Sequence, residues 1–158
     1  MSAANIIKLI LSVSIPLAVG AVAGTATARE IPGWYAGLVR PGIAPPNWVF
    51  GPVWTTLYIL MGISLYLVWK LPPDKVRNLA MAAFGIQLVL NFFWTFIFFS
   101  CKAPGWAFVE IIALWIMLGI TIVLFYRLKP AAAWINLPYL LWVSFAAILT
   151  WSYWRLNR

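Results

Sequence analysis

Hydrophobic residues run along this chain in five long blocks parted by prolines, glycines and single charges. They show neither the alternation of a half-buried strand nor the narrow stripe of a soluble amphipathic helix. Crossing about 30 Å of hydrocarbon takes roughly 20 helical residues at 1.5 Å each, which is the length of these blocks. They predict helices over residues 5–28, 47–69, 77–101, 105–126 and 130–154. The run Leu71-Pro72-Pro73-Asp74 ends the second, Lys102-Ala103-Pro104-Gly105 separates the third from the fourth, and Arg127 and Lys129 close the fourth. Pro16, Pro52 and Pro138 fall inside predicted helices, where each lacks the N–H that would bond one turn back. Bends are expected in the first and fifth helices, and a kink or frayed opening turn in the second. Three bent helices of five favour a bundle that opens around a cavity.

One stretch breaks the pattern. From Trp34 to Trp54 the chain reads W-Y-A-G-L-V-R-P-G-I-A-P-P-N-W-V-F-G-P-V-W, neither continuously apolar nor charged. Pro41, Pro45 and Pro46 fix φ and remove donors, Gly33, Gly37 and Gly42 permit turns, and Trp34, Tyr35 and Trp48 are rings suited to an interface. The expectation is a folded cap over the bundle, and composition alone accommodates a plain aromatic-belt loop equally well.

Composition sharpens this into an all-α, multi-pass membrane protein with one domain over residues 1–158. Of 158 residues 65% are hydrophobic and 9% charged, with a mean hydropathy of +0.95, which a water-soluble domain of this size could not keep off its surface. The net charge of +8 does not point to nucleic acid, because the cations are single or paired at the ends of apolar runs and suit anionic headgroups. They split nearly evenly between the two sides, so no orientation follows. The first run imitates a secretory signal, with Lys8 early and Ala26-Thr27-Ala28 as a cleavage-like pattern, but it outruns a usual signal core and reads as an uncleaved span. Gly20, Gly24 and Thr27 make a small-residue stripe on it where another backbone can approach.

Candidate chemistry is sparse. Histidine is absent, Cys101 is the only cysteine and there are three carboxylates, so no nucleophile, base and orienter can be assembled, and neither a metal site nor a cofactor is expected. Gln87, Asn91, Trp94 and Phe98 share a face of the third helix, where the two amides act as interhelical glue or face a ligand. Trp54, Tyr58, Met61 and Leu65 do the same on the second helix, and Tyr139, Trp142, Ala146 and Thr150 on the fifth. Such stripes are commonly packing. Here their indole N–H and phenol groups need partners, Ala146 leaves room beside Trp142, and a flat, ring-shaped apolar ligand would fit. Glu110 is the only acid within a span, a costly placement that reads as functional at depth but lies near enough to Gly105 to reach the interface. Leu149, Tyr153 and Arg155 satisfy a loose sterol pattern that arises by chance in many helix ends.

The motifs Trp34-Tyr35-x-x-Leu38-x-Arg40-Pro41-x-x-x-Pro45-Pro46 and Trp48-Val49-Phe50-Gly51-Pro52-Val53-Trp54-x-x-Leu57-Tyr58-x-x-Met61-Gly62 resemble the TspO/MBR family, also called translocator protein, tryptophan-rich sensory protein or peripheral benzodiazepine receptor. So do Gln87-Leu88-x-Leu90-Asn91-x-x-Trp94, Gly105-Trp106-Ala107 and Pro138-Tyr139-Leu140-x-Trp142-x-x-Phe145-Ala146. The resemblance implies a five-helix transmembrane bundle, commonly a homodimer, in a bacterial membrane or the mitochondrial outer membrane. Its first loop closes over a pocket for porphyrins, sterols and isoquinoline carboxamides. Carried over position by position, the pocket is Phe50, Trp54, Asn91, Trp94, Trp106, Trp142, Ala146 and Leu149, with Trp34 in the covering loop and Arg40 available to a propionate. Trp54 and Trp142 match tryptophans implicated in light-dependent porphyrin breakdown. The chain departs from the family at Ile43, usually tryptophan, and at Thr150 and Trp151, usually asparagine and the tyrosine of the sterol motif. Porphyrin binding is therefore implied more firmly than sterol binding. The functional expectation is a porphyrin-binding protein with a transport or sensory role, set against a porphyrin-degrading enzyme and a ligand-free membrane scaffold.

Overall fold

A computed structural model describes residues 3–158, and among them every regular element is helical. The five spans are α1 (Ala3–Glu30), α2 (Phe50–Trp69), α3 (Lys75–Thr95), α4 (Pro104–Leu128) and a pair, α5 (Pro130–Ile135) and α6 (Leu137–Leu156), that crosses together. Around the bundle the order is α1, α2, α5–α6, α4 and α3, which returns to α1. One end carries the 31–46 loop, the 101–103 turn and the carboxyl terminus, and the other carries the 70–74 turn and Lys129.

Local chemistry sets these boundaries. Asp74 caps α3 by accepting the Arg77 backbone N–H at 2.7 Å, while Pro104 and Pro130 open their helices where a missing N–H costs nothing. Pro52 is the third residue of α2, so its lost donor falls among amides with no helical acceptor, and a 3-10 turn over Asn47–Val49 takes the place of a kink. α1 runs unbroken through Pro16. At Pro138 the expected bend becomes a full break: the helix stops at Asn136, and α6 starts anew with Pro138 in its first turn. That break is stitched by side chains. Asn136 Nδ2 donates to Ala132 O at 2.9 Å and to Ser64 Oγ, and the Ser64 hydroxyl donates to Ala132 O at 2.8 Å, so the freed backbone is tied to α2.

α3 ends in a π turn, Phe96–Ser100, with Cys101 N donating to Phe96 O at 2.9 Å and Lys102 in the left-handed region at φ 54°. Widening the last turn brings both Phe98 and Phe99 inward, neighbours that an ideal helix would set about 100° apart. Lys102 Nζ meets Glu30 Oε2 at 3.4 Å and joins the ends of α1 and α3.

The seam between α1 and α2 differs from the backbone contact expected at Gly20 and Gly24. A Cβ on Gly20 would lie 2.1 Å from the Tyr58 ring, so that glycine receives an aromatic ring. The close backbone approach is at Gly62, where a Cβ would sit 2.5 Å from Val13 Cα and 2.7 Å from Ser12 O. Gly24 has nothing within 4 Å. The two helices thus meet closely at Gly62 and Gly20 and part toward Gly24.

Candidate functional site

Where α1 and α2 part, the bundle holds a cavity of about 690 Å³, within the range of small-molecule sites. Its walls are built by the three aromatic stripes, each of which runs from the hollow down into a polar floor. Trp54 of α2, Trp94 of α3 and Trp142 of α6 line the space; about one turn deeper on the same faces lie Tyr58, Asn91 and Tyr139. Tyr58 Oη donates to Asn91 Oδ1 at 2.7 Å, Asn91 Nδ2 donates to Tyr139 Oη at 3.0 Å, and Tyr139 Oη donates to Gln87 Oε1 at 3.0 Å. This chain joins α2, α3 and α6 at one level and closes the hollow from below.

The wall rings touch one another. Trp54 stacks on Tyr58 at 5.6 Å and meets Trp142 edge-on at 6.5 Å, and Phe50 stands edge-on to Trp142 at 6.0 Å. Across the space Trp94 stacks on Phe98 at 5.6 Å. The indole N–H groups of Trp94 and Trp142 are buried and find no acceptor among the described residues. Opposite them α1 offers Leu17 and otherwise small side chains, Gly20, Ala21, Ala23, Gly24, Thr27 and Ala28, which leave the volume open.

The 31–46 loop covers one end. Tyr35 points inward, lines the cavity and shares a 2.7 Å hydrogen bond with the Tyr153 hydroxyl of α6. Burial, and after it this hydrogen bond, pushes the Tyr35 phenol above its ordinary value, so it stays protonated throughout the physiological range. Asn157 clamps the loop a second time, accepting Val39 N–H at 2.7 Å and donating to Val39 O at 3.1 Å. Arg40 turns its guanidinium onto the carbonyls of Ala44 and Pro45, bracing the loop; it does not line the cavity.

Of the nine residues named for the pocket, Phe50, Trp54, Trp94, Trp142, Ala146 and Leu149 line the cavity. Three do not. Trp34 packs edge-on to Phe98 at 5.8 Å from within the loop, and Tyr35 is the ring that faces the hollow. Asn91 has both amide atoms engaged in the floor. Trp106, 73% exposed, stands on the outer surface with Glu110 and Cys101 in a shallow groove. Both Glu110 carboxylate oxygens are buried without a partner among the described residues. The sterol-like pattern is split: Leu149 and Tyr153 face inward, while Arg155 lies over the Trp151 ring at 5.6 Å.

Tyr35, Thr95, Phe98, Phe99 and Tyr153 also line the hollow and were not named for it. The π turn that directs Phe99 inward left no mark in the periodicity. Thr150 and Tyr58 lie on stripes already visible in the sequence, and their positions on them carried the available signal.

Residues 12–155 match the TspO/MBR family. The chain is 42% identical over 156 residues to the tryptophan-rich protein TspO of Archaeoglobus fulgidus, covering 97% of this chain and 99% of that one. It is 42% identical over 128 residues to the human translocator protein, covering 79% and 75%. With the tryptophan-rich sensory protein of Cereibacter sphaeroides it shares 34% over 140 residues, covering 89% and 87%.

Proposed function

The chain belongs to the TspO/MBR family and is an integral multi-pass membrane protein, and from that premise we propose that its cavity binds flat, largely apolar ligands of the porphyrin type in a transport or sensory role. The observation that carries this reading is the cavity itself, about 690 Å³ walled by Trp54, Trp94, Trp142 and Phe50 under a latched loop. Indole faces stack well on conjugated rings, and the unspent N–H groups of Trp94 and Trp142 would be relieved by a guest carrying acceptors. Side chains do not fill the space, and no charged residue lines it.

Titrating protoporphyrin IX into the detergent-solubilised protein, with a sterol in parallel, tests the proposal. Saturable quenching of tryptophan fluorescence by the porphyrin, lost in Trp54→Ala and Trp142→Ala, is the expected result. A flat titration overturns it.

A second reading, light-dependent breakdown of the bound porphyrin, draws support from the contact series Trp142, Trp54 and Tyr58, oxidisable rings with centroids 5.6 to 6.5 Å apart. Under illumination the porphyrin absorbance would fall, and more slowly in Trp54→Phe with Trp142→Phe. An unchanged rate in that variant removes the indoles from the chemistry.

A further inference from the structure

Hydroxyls inside an apolar helix bundle ordinarily return to the carbonyl one turn back. Thr55, Thr56, Thr121, Ser144 and Ser152 all do so, at 2.8 to 2.9 Å. Thr95 of α3 and Thr150 of α6 do not: each is a buried residue of the cavity wall, 8% and 2% exposed, and its hydroxyl makes no hydrogen bond among the described residues. Ser12 Oγ is also unpartnered, but it lies in the α1–α2 seam beside Gly62 and does not line the cavity. Both threonines stand one to two turns in from the loop end of their helices. Beside them the Tyr35–Tyr153 pair holds two O–H protons and spends one between its members, and both of these residues line the same space. Unmatched donors therefore gather at the loop end of the cavity. Deeper in, the Tyr58 hydroxyl is already committed to Asn91.

We propose that Thr95 and Thr150 are the polar recognition point of this cavity, hydrogen-bonding an uncharged oxygen acceptor, a carbonyl, ester or un-ionised carboxyl, on the flat ligand, and so set its orientation and selectivity. The proposal rests on the porphyrin-type reading above and adds to it the class of substituent. Neutral acceptors are favoured over ionised carboxylates because the wall holds no cation, and a carboxylate taken out of water without one is costly. Ionised groups of a ligand stay at the mouth, while an ester or carbonyl enters.

Three probes of one ring system separate the outcomes: etioporphyrin, which carries only alkyl groups, mesoporphyrin dimethyl ester, and mesoporphyrin as the free acid. Affinities are measured for wild type, Thr95→Val with Thr150→Val, and Thr95→Ser with Thr150→Ser. Wild type should bind the ester better than etioporphyrin, with each hydroxyl accounting for roughly threefold to tenfold. The near-isosteric valine variant should bind both probes without that preference, and the serine variant should keep it. A ratio unchanged by valine, or lost in serine as well, overturns the assignment, as does a wild type that prefers the free acid. If none of the three binds wild type, the porphyrin-type reading fails and takes this one with it; binding of all three without an ester preference overturns this one alone.

Discussion

The two halves of the bundle are built from the same apolar vocabulary and end differently. Away from the loop the interior is filled by its own side chains: Phe84 stacks on Phe125 at 6.0 Å and 8°, and Met61, Val68, Leu118 and Ala132 are fully enclosed. Ser64 and Asn136 spend their polar atoms on Ala132, although Ser12 Oγ and Gln87 Nε2 in this half find no partner among the described residues. Toward the loop the walls stand apart, and the Trp94 and Trp142 indoles and the Thr95 and Thr150 hydroxyls are left without partners among the described residues. In lipid no hydrophobic force demands that a bundle close on itself, so packing and polar pairing decide where it does. The far half has both. The loop half trades contact for volume by placing glycine and alanine on α1 opposite large rings.

The strongest way to break this contrast is at the seam both halves share. Gly62→Leu drives a side chain into the backbone of Ser12 and Val13 and should cost about 3 kcal/mol or more, seen as loss of monodisperse protein or a steep fall in thermal stability in detergent. Next comes a matched pair. Ala132→Leu, at a site with no free volume, should destabilise by roughly 1 to 3 kcal/mol, whereas Ala146→Leu, which projects into the hollow, should leave the melting temperature within a few degrees and weaken porphyrin binding. Equal destabilisation by the two would mean the halves do not differ. Cutting the floor with Asn91→Leu strands the groups on Tyr58 and Tyr139 and should cost about 1 to 3 kcal/mol, less than the seam variant, by thermal denaturation.

The smallest effect belongs to the latch. Tyr35→Phe should lower stability by only about 1 kcal/mol while speeding amide exchange across residues 36–40. The Tyr35 phenol is raised in the folded state, so its contribution is complete below the ordinary phenol value of about 10 and is lost only as pH climbs through the higher folded value. Exchange in that loop should therefore be insensitive to ionisation of the latch from pH 5 to 9. A transition inside that window would contradict the buried pairing.

Much of this was legible before the fold was known. The five spans appear within a turn of their expected ends because length and apolarity are properties of contiguous sequence. The aromatic stripes were legible for the same reason: a helical period fixes which residues share a face. How far down a stripe the hollow ends and the floor begins was not legible, since Trp94 and Asn91 lie on one face and differ only in what stands opposite. Trp106 shows the same limit, because its helix turns it to the outer surface among Ile97, Cys101 and Glu110.

The linear order of residues determined a membrane-embedded bundle of five helices, three inward aromatic faces and a stiff loop able to cover one end, all of which follow from periodicity and backbone chemistry. Tertiary structure alone decided that Gly62 zips the α1–α2 seam while Gly24 faces open space, that the fifth span breaks at Asn136, that the π turn swings Phe99 inward, and that Thr95 and Thr150 keep their hydroxyls free. The reason is physical: each of these depends on a distance to atoms far away in the chain, and such distances are set by how five helices settle against one another.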